Sequence, residues 1–254
     1  FKTLSVDLDG NCFLCICDAW LPVSVGNVLD FERLEDIWNN ETAQMLQQDV
    51  KDRKYTYCAV DTCGIMHNDL KTWEYRINFA IDDSCNLACP SCRPDLKMDS
   101  AGESFNYKLK MVNHLVKLLE QFSEPVHIIM SGNGDPLASS IMRPLLHNYK
   151  PAKNQTLRLF TNGLLLTKQL KDNPIVDNIS QYFISIDAGS RDIYEQVRQP
   201  GRWDVLIRNF DFLREVVAIT GAEVLLKFVL QAANYRDMEN FILLCEHYGF
   251  NGVI

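Results

Sequence analysis

The chain has 254 residues, 47% hydrophobic and 23% charged, with 12 Gly and 9 Pro. That is a globular composition, long enough for one large domain or two smaller ones, and it excludes disordered and low-complexity classes. No stretch approaches ~18 uninterrupted apolar residues, so a membrane-spanning helix is excluded. The net charge of −8 argues against a nucleic-acid partner, which calls for a basic face.

Residues 1–70 and 71–254 read differently, and a domain boundary is expected between them. In the first part, strand-like runs at Lys2–Leu8 and Cys12–Ile16 flank Asp9-Gly10-Asn11, a hairpin signal. A single helix is predicted over Phe31–Val50, with Leu34, Ile37, Trp38, Met45 and Leu46 mostly at helical spacing. This α+β unit has little core of its own, and a metal held by its cysteines would staple it.

From Trp73 onward strand and helix patterns alternate. The predicted strands are Tyr75–Ile81, Val126–Ser131, Thr156–Thr161, Tyr182–Asp187, Val224–Gln231 and a last one at residues 252–254. Helical patterns include Met111 through Phe122, Val205 through Val217, and Phe241 through Tyr248, the last closed by Gly249. Repeated β-α units imply a parallel sheet, open or curled toward a barrel. The chain starts at Phe1 and stops on a strand with no following helix, so both ends are expected to be cut.

Nine cysteines are many for this length, and eight lie within the first 92 residues. A large, core-rich chain without a secretory signal points to metal or redox chemistry in a reducing cytoplasm rather than to disulfides. Cys85, Cys89 and Cys92 form a CxxxCxxC loop directly after the first strand of the β/α series. Loops at that end of parallel strands converge on the active sites of α/β enzymes. A structural zinc needs four protein ligands, whereas three thiolates suit a 4Fe–4S cluster with one iron left open. Zinc stays open as an alternative.

Polar or glycine-rich elements end the following strands in register with this loop. They are Ser131-Gly132-Asn133-Gly134-Asp135-Pro136, Phe160-Thr161-Asn162-Gly163 and Ser185-Ile186-Asp187, with Arg198 one short helix later. The glycines let backbone approach a ligand closely. Singly these are ordinary turns, caps and surface charges; together they make a site. Asp82, Asp83 and Arg93, flanking the cysteine loop, read as solvated charges. Cys245 falls on the apolar face of the last helix and reads as core.

These motifs resemble the radical S-adenosylmethionine (radical SAM) superfamily over about Trp73 to Ile254. The resemblance implies a partial (β/α)6 barrel of TIM-like type. It implies a 4Fe–4S cluster on Cys85, Cys89 and Cys92, with S-adenosylmethionine completing the fourth iron. Gly132, Asn133, Gly134 and Asp135 resemble the family's GGE-type motif, with Asn and Asp replacing its second and third residues. Ser185 and Arg198 resemble the pair that meets the methionine carboxylate, with Asp187 on the same strand end. Gln231 and Asn234 fall where the family lines the nucleoside. No catalytic acid or base is identified.

The first part resembles a SPASM/twitch auxiliary-cluster unit: Gly10 through Cys15, the turn Val25-Gly26-Asn27, and Ile37-Trp38-Asn39 before Cys58 and Cys63. Here it precedes the barrel instead of following it. The resemblance implies an auxiliary iron–sulfur cluster on Cys15, Cys58 and Cys63, with the fourth ligand absent or supplied by Cys12 or Cys17. Strand alternation sets Cys15 and Cys17 on one face and Cys12 on the other, which favours Cys17. A four-cysteine zinc site would leave a similar sequence.

The implied function is hydrogen abstraction from a peptide or protein, with electrons from an external flavodoxin- or ferredoxin-type donor. The alternatives are a small carbohydrate or nucleoside-like substrate, or a non-enzymatic zinc or iron–sulfur protein.

Overall fold

A computed structural model describes residues 2–15, 21–63 and 75–254. Near the N-terminus, β1 (Thr3–Val6), β2 (Asn11–Phe13) and β3 (Ser24–Asn27) run antiparallel. The β1–β2 turn is held by Asp7, whose Oδ1 accepts from the amides of Asp9 at 3.0 Å and Asn11 at 2.8 Å. Its Gly10 has φ +84° and lies against Asn27, a backbone shape that favours glycine.

The one helix predicted over Phe31–Val50 is two: α1 (Leu34–Asn39) and α2 (Glu41–Lys51). Asn40 separates them. Its extended backbone ends α1, and its side chain accepts from the Ala43 amide at 3.0 Å to cap α2. Apolar periodicity continues across such a break, so the capping chemistry of Asn decides it.

The remaining elements alternate. They are β4 (Tyr75–Phe79), α3 (Glu103–Gln121), β5 (Val126–Met130), β6 (Gln155–Thr161), α4 (Leu166–Leu170) and β7 (Ile179–Ser185). Then come α5 (Arg191–Val197), α6 (Trp203–Thr220), β8 (Glu223–Lys227), α7 (Met238–Tyr248) and β9 (Asn251–Val253). The expected strands are present, but the β5–β6 crossover holds only a five-residue π turn at Pro144–Asn148. Gly221 and Gly249, at φ +72° and +69°, end α6 and α7 in the left-handed conformation.

The nine strands of the described residues lie in one sheet, ordered β3-β2-β1-β4-β5-β6-β7-β8-β9, in which β4 through β9 are parallel. This is an α/β architecture. The N-terminal strands extend the sheet: β1 pairs parallel with β4, from Thr3 opposite Arg76 to Val6 opposite Phe79.

The N-terminal unit also shares its core. Trp38 stacks on Phe122 at 6.3 Å and meets Tyr75 edge-on at 4.9 Å, while its indole N–H donates to the Thr3 carbonyl at 3.3 Å. Its burial against α3 residues supplies what a unit of this size lacks. Truncating such a side chain to Ala costs about 3–5 kcal/mol. The stretch 64–74, which contains the expected domain boundary, lies outside the described residues. Among the described residues no helix is long and apolar enough to cross a membrane.

Candidate cofactor site

The chain after β4 carries the CxxxCxxC loop above the C-terminal strand ends. Two attachments fix its path: the Cys85 amide donates to the Lys97 carbonyl at 2.7 Å, and the Ala88 amide to the Gln199 carbonyl at 2.7 Å. The Cys92 amide then turns back to the Cys89 carbonyl at 2.8 Å. All three cysteines line one cavity of about 270 Å³, together with Gly132, Asn133, Gly134, Asp135, Ser185 and Arg198. These nine residues come from four separate segments, namely the cysteine loop, the turn at 132–135, the end of β7 and the end of α5, so the sheet's topology is what assembles them.

The glycines of Gly132-Asn133-Gly134 serve the protein's own packing as well as any ligand. The amides of Asn133 and Asp135 donate to the carbonyls of Asp82 at 3.0 Å and Ser84 at 2.8 Å. A Cβ on Gly132 would stand 2.8 Å from the Asp82 oxygen, and one on Gly134 would overlap the Ser84 carbonyl. The two loops therefore lie backbone against backbone. Asp135 is buried and its carboxylate faces inward: it accepts from the Asn162 amide at 2.7 Å, Thr161 Oγ1 at 2.9 Å and the Leu137 amide at 2.9 Å. Burial raises its pKa, and these donors work against that.

Arg198 reaches in from the end of α5. One Nη lies 2.7 Å from Asp187 Oδ2, and the other donates to Cys89 Sγ at 3.8 Å. Its Nε is buried and lacks a hydrogen-bond partner among the described residues. Burial pushes the Cys89 thiol up, and the guanidinium offsets part of that rise. Burial likewise raises Cys85, offset by the Leu87 amide, which donates to its sulfur at 3.4 Å. Both thiols are thus supplied with donors that favour the thiolate, the ligating form.

Gln231 and Asn234 do not line the cavity. The Asn234 amide donates to the carbonyls of Asp187 and Val229, both at 2.9 Å, and its oxygen accepts from the Gln231 amide at 2.7 Å. It is fully engaged as a brace beneath Asp187. That residue needs bracing: its φ is +54°, a conformation non-glycine residues rarely adopt and Asp tolerates through local hydrogen bonds.

Contrary to the expectation from sequence, the flanking charges Asp82, Asp83 and Arg93 are not simply solvated but held by partners. Arg93 donates to the carbonyls of Asp83 at 2.7 Å and Asn133 at 2.6 Å, joining the cysteine loop to the Gly132–Gly134 loop. Asp82 is buried and accepts from Ser139 Oγ at 2.6 Å. Lys108 of α3 lies 3.1 Å from Asp99, 3.6 Å from Asp82 and 3.8 Å from Asp83. Asn162, within a strand end already expected at the site but given no role of its own, donates to Asn86 Oδ1 at 2.9 Å and faces Cys85 Sγ at 3.9 Å. Its place beside Gly163 at a strand end was the available signal.

In the N-terminal unit Cys58 is raised first by burial and then by the thiols of Cys63 and Cys15, which both lie within electrostatic reach of it. Their loop is tied to α2 by Asp49, which accepts from the Thr56 amide at 2.8 Å and its hydroxyl at 2.6 Å. Cys12 faces the other way into the core, its thiol pushed up to about 12 by burial and then by Asp7 and Asp30. Cys17 lies outside the described residues. None of the eight described cysteines forms a disulfide. Among the described residues, no three His, Cys, Asp or Glu side chains gather tightly enough for one metal ion; in a polynuclear cluster each thiolate meets its own iron, so the sulfurs stand further apart. Three sulfurs around a cavity, opposite exposed main chain and beside a buried, partly unsatisfied guanidinium, fit such a cluster and an anionic ligand on it.

Residues 1–64 match SPASM, an iron–sulfur cluster-binding domain. The chain is 26% identical over 175 residues to an AdoMet-dependent heme synthase of Oleidesulfovibrio alaskensis, covering 68% of this chain and 42% of that protein. It is 24% identical over 180 residues to the mycofactocin maturase MftC of Mycolicibacterium smegmatis, covering 70% and 42%. The crystal structure of Streptococcus suis SuiB bound to precursor peptide SuiA aligns with a TM-score of 0.49 at 16% identity, covering 83% of this chain and 42% of that one. The chain spans less than half the length of these two curated relatives. The domain match and the sequence relatives show its resemblance to radical SAM enzymes and its SPASM-like N-terminal part. They imply 4Fe–4S clusters, one of them auxiliary, and S-adenosylmethionine.

Proposed function

We propose that this chain carries the cofactor-binding part of a radical SAM enzyme that abstracts hydrogen from a peptide or protein. The observation that carries the reading is the convergence of Cys85, Cys89 and Cys92 with the Gly132–Gly134 main chain, Ser185 and Arg198 on one cavity. When bound, the reduced cluster and S-adenosylmethionine supply a 5′-deoxyadenosyl radical that takes the substrate hydrogen. The chain's own residues position and insulate: the three cysteines hold the iron, and the glycine main chain and Ser185 meet the amino-acid part of the cofactor. Arg198, kept in place by Asp187, presents positive charge to the cofactor carboxylate. Gln231 and Asn234 act beneath, through Asp187. Cys15, Cys58 and Cys63 hold the auxiliary cluster, with Cys17 as the candidate fourth ligand.

A peptide or protein substrate is favoured because SPASM-bearing enzymes often act on such chains, and a relative from M. smegmatis is named a maturase. A small-metabolite substrate is the second reading, favoured by the likeness to the heme synthase. An external flavodoxin- or ferredoxin-type donor and a cytoplasmic setting go with thiolate-held clusters.

The test is anaerobic reconstitution with iron and sulfide, reduction, and addition of S-adenosylmethionine. The expected result is 5′-deoxyadenosine from the wild type and none from Cys85→Ala. Equal, background yields from both in fully iron-loaded wild type would overturn the enzyme reading.

A further inference from the structure

The sheet face that carries Phe160 and Ser185 to the cofactor cavity continues away from it along the strands. Along β4 to β8 buried residues alternate with half-buried ones: Ile77, Ile128, Leu157, Tyr182 and Leu226 are fully buried, while their neighbours in sequence are not. The half-buried set includes Arg76 on β4, Arg158 and Phe160 on β6, Phe183 on β7 and Lys227 on β8. Phe160 also lines the cofactor cavity, so this face and the cavity are continuous. Residues two apart on a strand share a face, which puts Arg158 on the same side as Phe160.

Phe160 and Phe183 stack at 4.5 Å with an interplanar angle of 13°. Arg158 lies over the Phe183 ring at 5.1 Å and Lys227 over the Phe160 ring at 5.5 Å. The strands β4 to β8 contain one acidic residue, Glu223, which accepts from Gln181 at 2.7 Å. Among the described residues, none of Arg76, Arg158 and Lys227 is in an ion pair. Arg158 is pushed down by burial and then by Arg76, with Glu223 offsetting part. Among the described residues these half-buried cations have Glu223 as partial offset and no ion-pair partner, and an arginine fork is shaped for an oxyanion.

We propose that this face binds a carboxylate of the substrate peptide, an acidic side chain held by Arg76 and Arg158 below the Phe160–Phe183 pair. The proposal rests on the peptide reading above and adds the charge and place of the residue recognised. Register sets the distance. Arg158 is two residues below Phe160, and Arg76 aligns through His127 with Thr156, four below. At ~3.3 Å per residue these lie roughly 7 and 13 Å beneath the cavity rim, the reach of two to four residues of extended peptide. An apolar row, with Phe160, Phe183 and Leu225 in register, separates rim from cations. That suits a peptide with an apolar residue at the rim and an acidic one beyond it better than a polyphosphate.

Isothermal titration of the intact chain needs no cofactor chemistry. The probes are a capped Gly-Glu-Gly-Glu-Gly peptide, its Gln counterpart, free glutamate and inorganic phosphate. The Glu peptide is expected to bind at least about tenfold more tightly than the Gln peptide, and Arg76→Gln/Arg158→Gln to abolish the difference. Arg158→Glu, a second variant, is expected to favour a Lys peptide instead. The proposal fails if Glu and Gln peptides bind alike, or if their difference survives in the double variant. It fails also if free glutamate or phosphate binds as tightly as the Glu peptide, since the anion would then come from a small molecule. Discrimination in binding without any 5′-deoxyadenosine-dependent modification of peptides would remove the peptide-modifying reading while leaving the anion face in place.

Discussion

Arg198 and Asp187 form a buried ion pair, Nη2 to Oδ2 2.7 Å, with side chains only 13% and 5% exposed. Asp187 also accepts from the Val229 amide at 2.8 Å, and Arg198 faces the sulfur of Cys89. One pair thus ties β7, the loop after β8 and the cysteine loop together. Asp187→Ala would leave a buried guanidinium unpaired, a change that costs about 3–5 kcal/mol. Urea unfolding is expected to show that loss, with Asp187→Asn losing less. A drop under about 1 kcal/mol would mean that water reaches the pair and that the pair does not brace the site.

Lys108 is the corresponding device on the other side of the loop. It is 8% exposed and faces Asp82, Asp83 and Asp99. Lys108→Met removes the central cation from three clustered carboxylates, leaving Lys97 on Asp83. Breaking a buried charge network from one side is destabilising by several kcal/mol. The variant is expected to unfold at lower urea and to hold less iron per chain after reconstitution. Unaltered stability and iron content would show the network to be incidental.

Two glycines separate packing from backbone strain. At Gly134 a Cβ would overlap the Ser84 carbonyl, while at Gly221, φ +72°, it would meet nothing within 4 Å. Gly221→Ala is therefore expected to cost about 1–2 kcal/mol through its left-handed backbone alone. Gly134→Ala must push the two cofactor loops apart, and is expected to lower iron retention sharply even where the chain stays folded by circular dichroism. Equal iron retention in the two variants would contradict the tight loop contact.

The cysteines should divide by reactivity. Burial pushes Cys12 up to about 12 and Cys245 up to about 11, so at pH 8 neither has appreciable thiolate, the nucleophilic form. Alkylation of the native protein followed by peptide mass mapping should leave both unmodified whether or not iron is present. Cys15, Cys58, Cys63, Cys85 and Cys92, which are at least partly exposed, should react in the iron-free protein and be protected after reconstitution. Rapid labelling of Cys12 would place it outside the core and reopen it as a cluster ligand.

Most of the β/α alternation was legible because a strand or helix writes its period locally. The exceptions are short-range competitions: Asn40 caps where the apolar pattern runs on, and the β5–β6 connection closes with a π turn instead of a helix. At the site, the cysteines and the Gly132–Asp135 turn stood out by spacing. The roles of Arg93, Asn162 and Asn234 did not, because each is defined by a partner many residues away.

The sequence by itself determined that strands alternate with helices and that a three-cysteine loop follows the first strand of the series. Those properties reside in periodicity and spacing over a few residues. Only the tertiary structure decided that β1 joins the sheet beside β4, that Asp135 and Asn234 turn inward, and that Arg76, Arg158 and Lys227 share a half-buried face with no ion-pair partner among the described residues. A strand's period of two says which residues face together but not which strand lies next to it, and each of these facts depends on that neighbour.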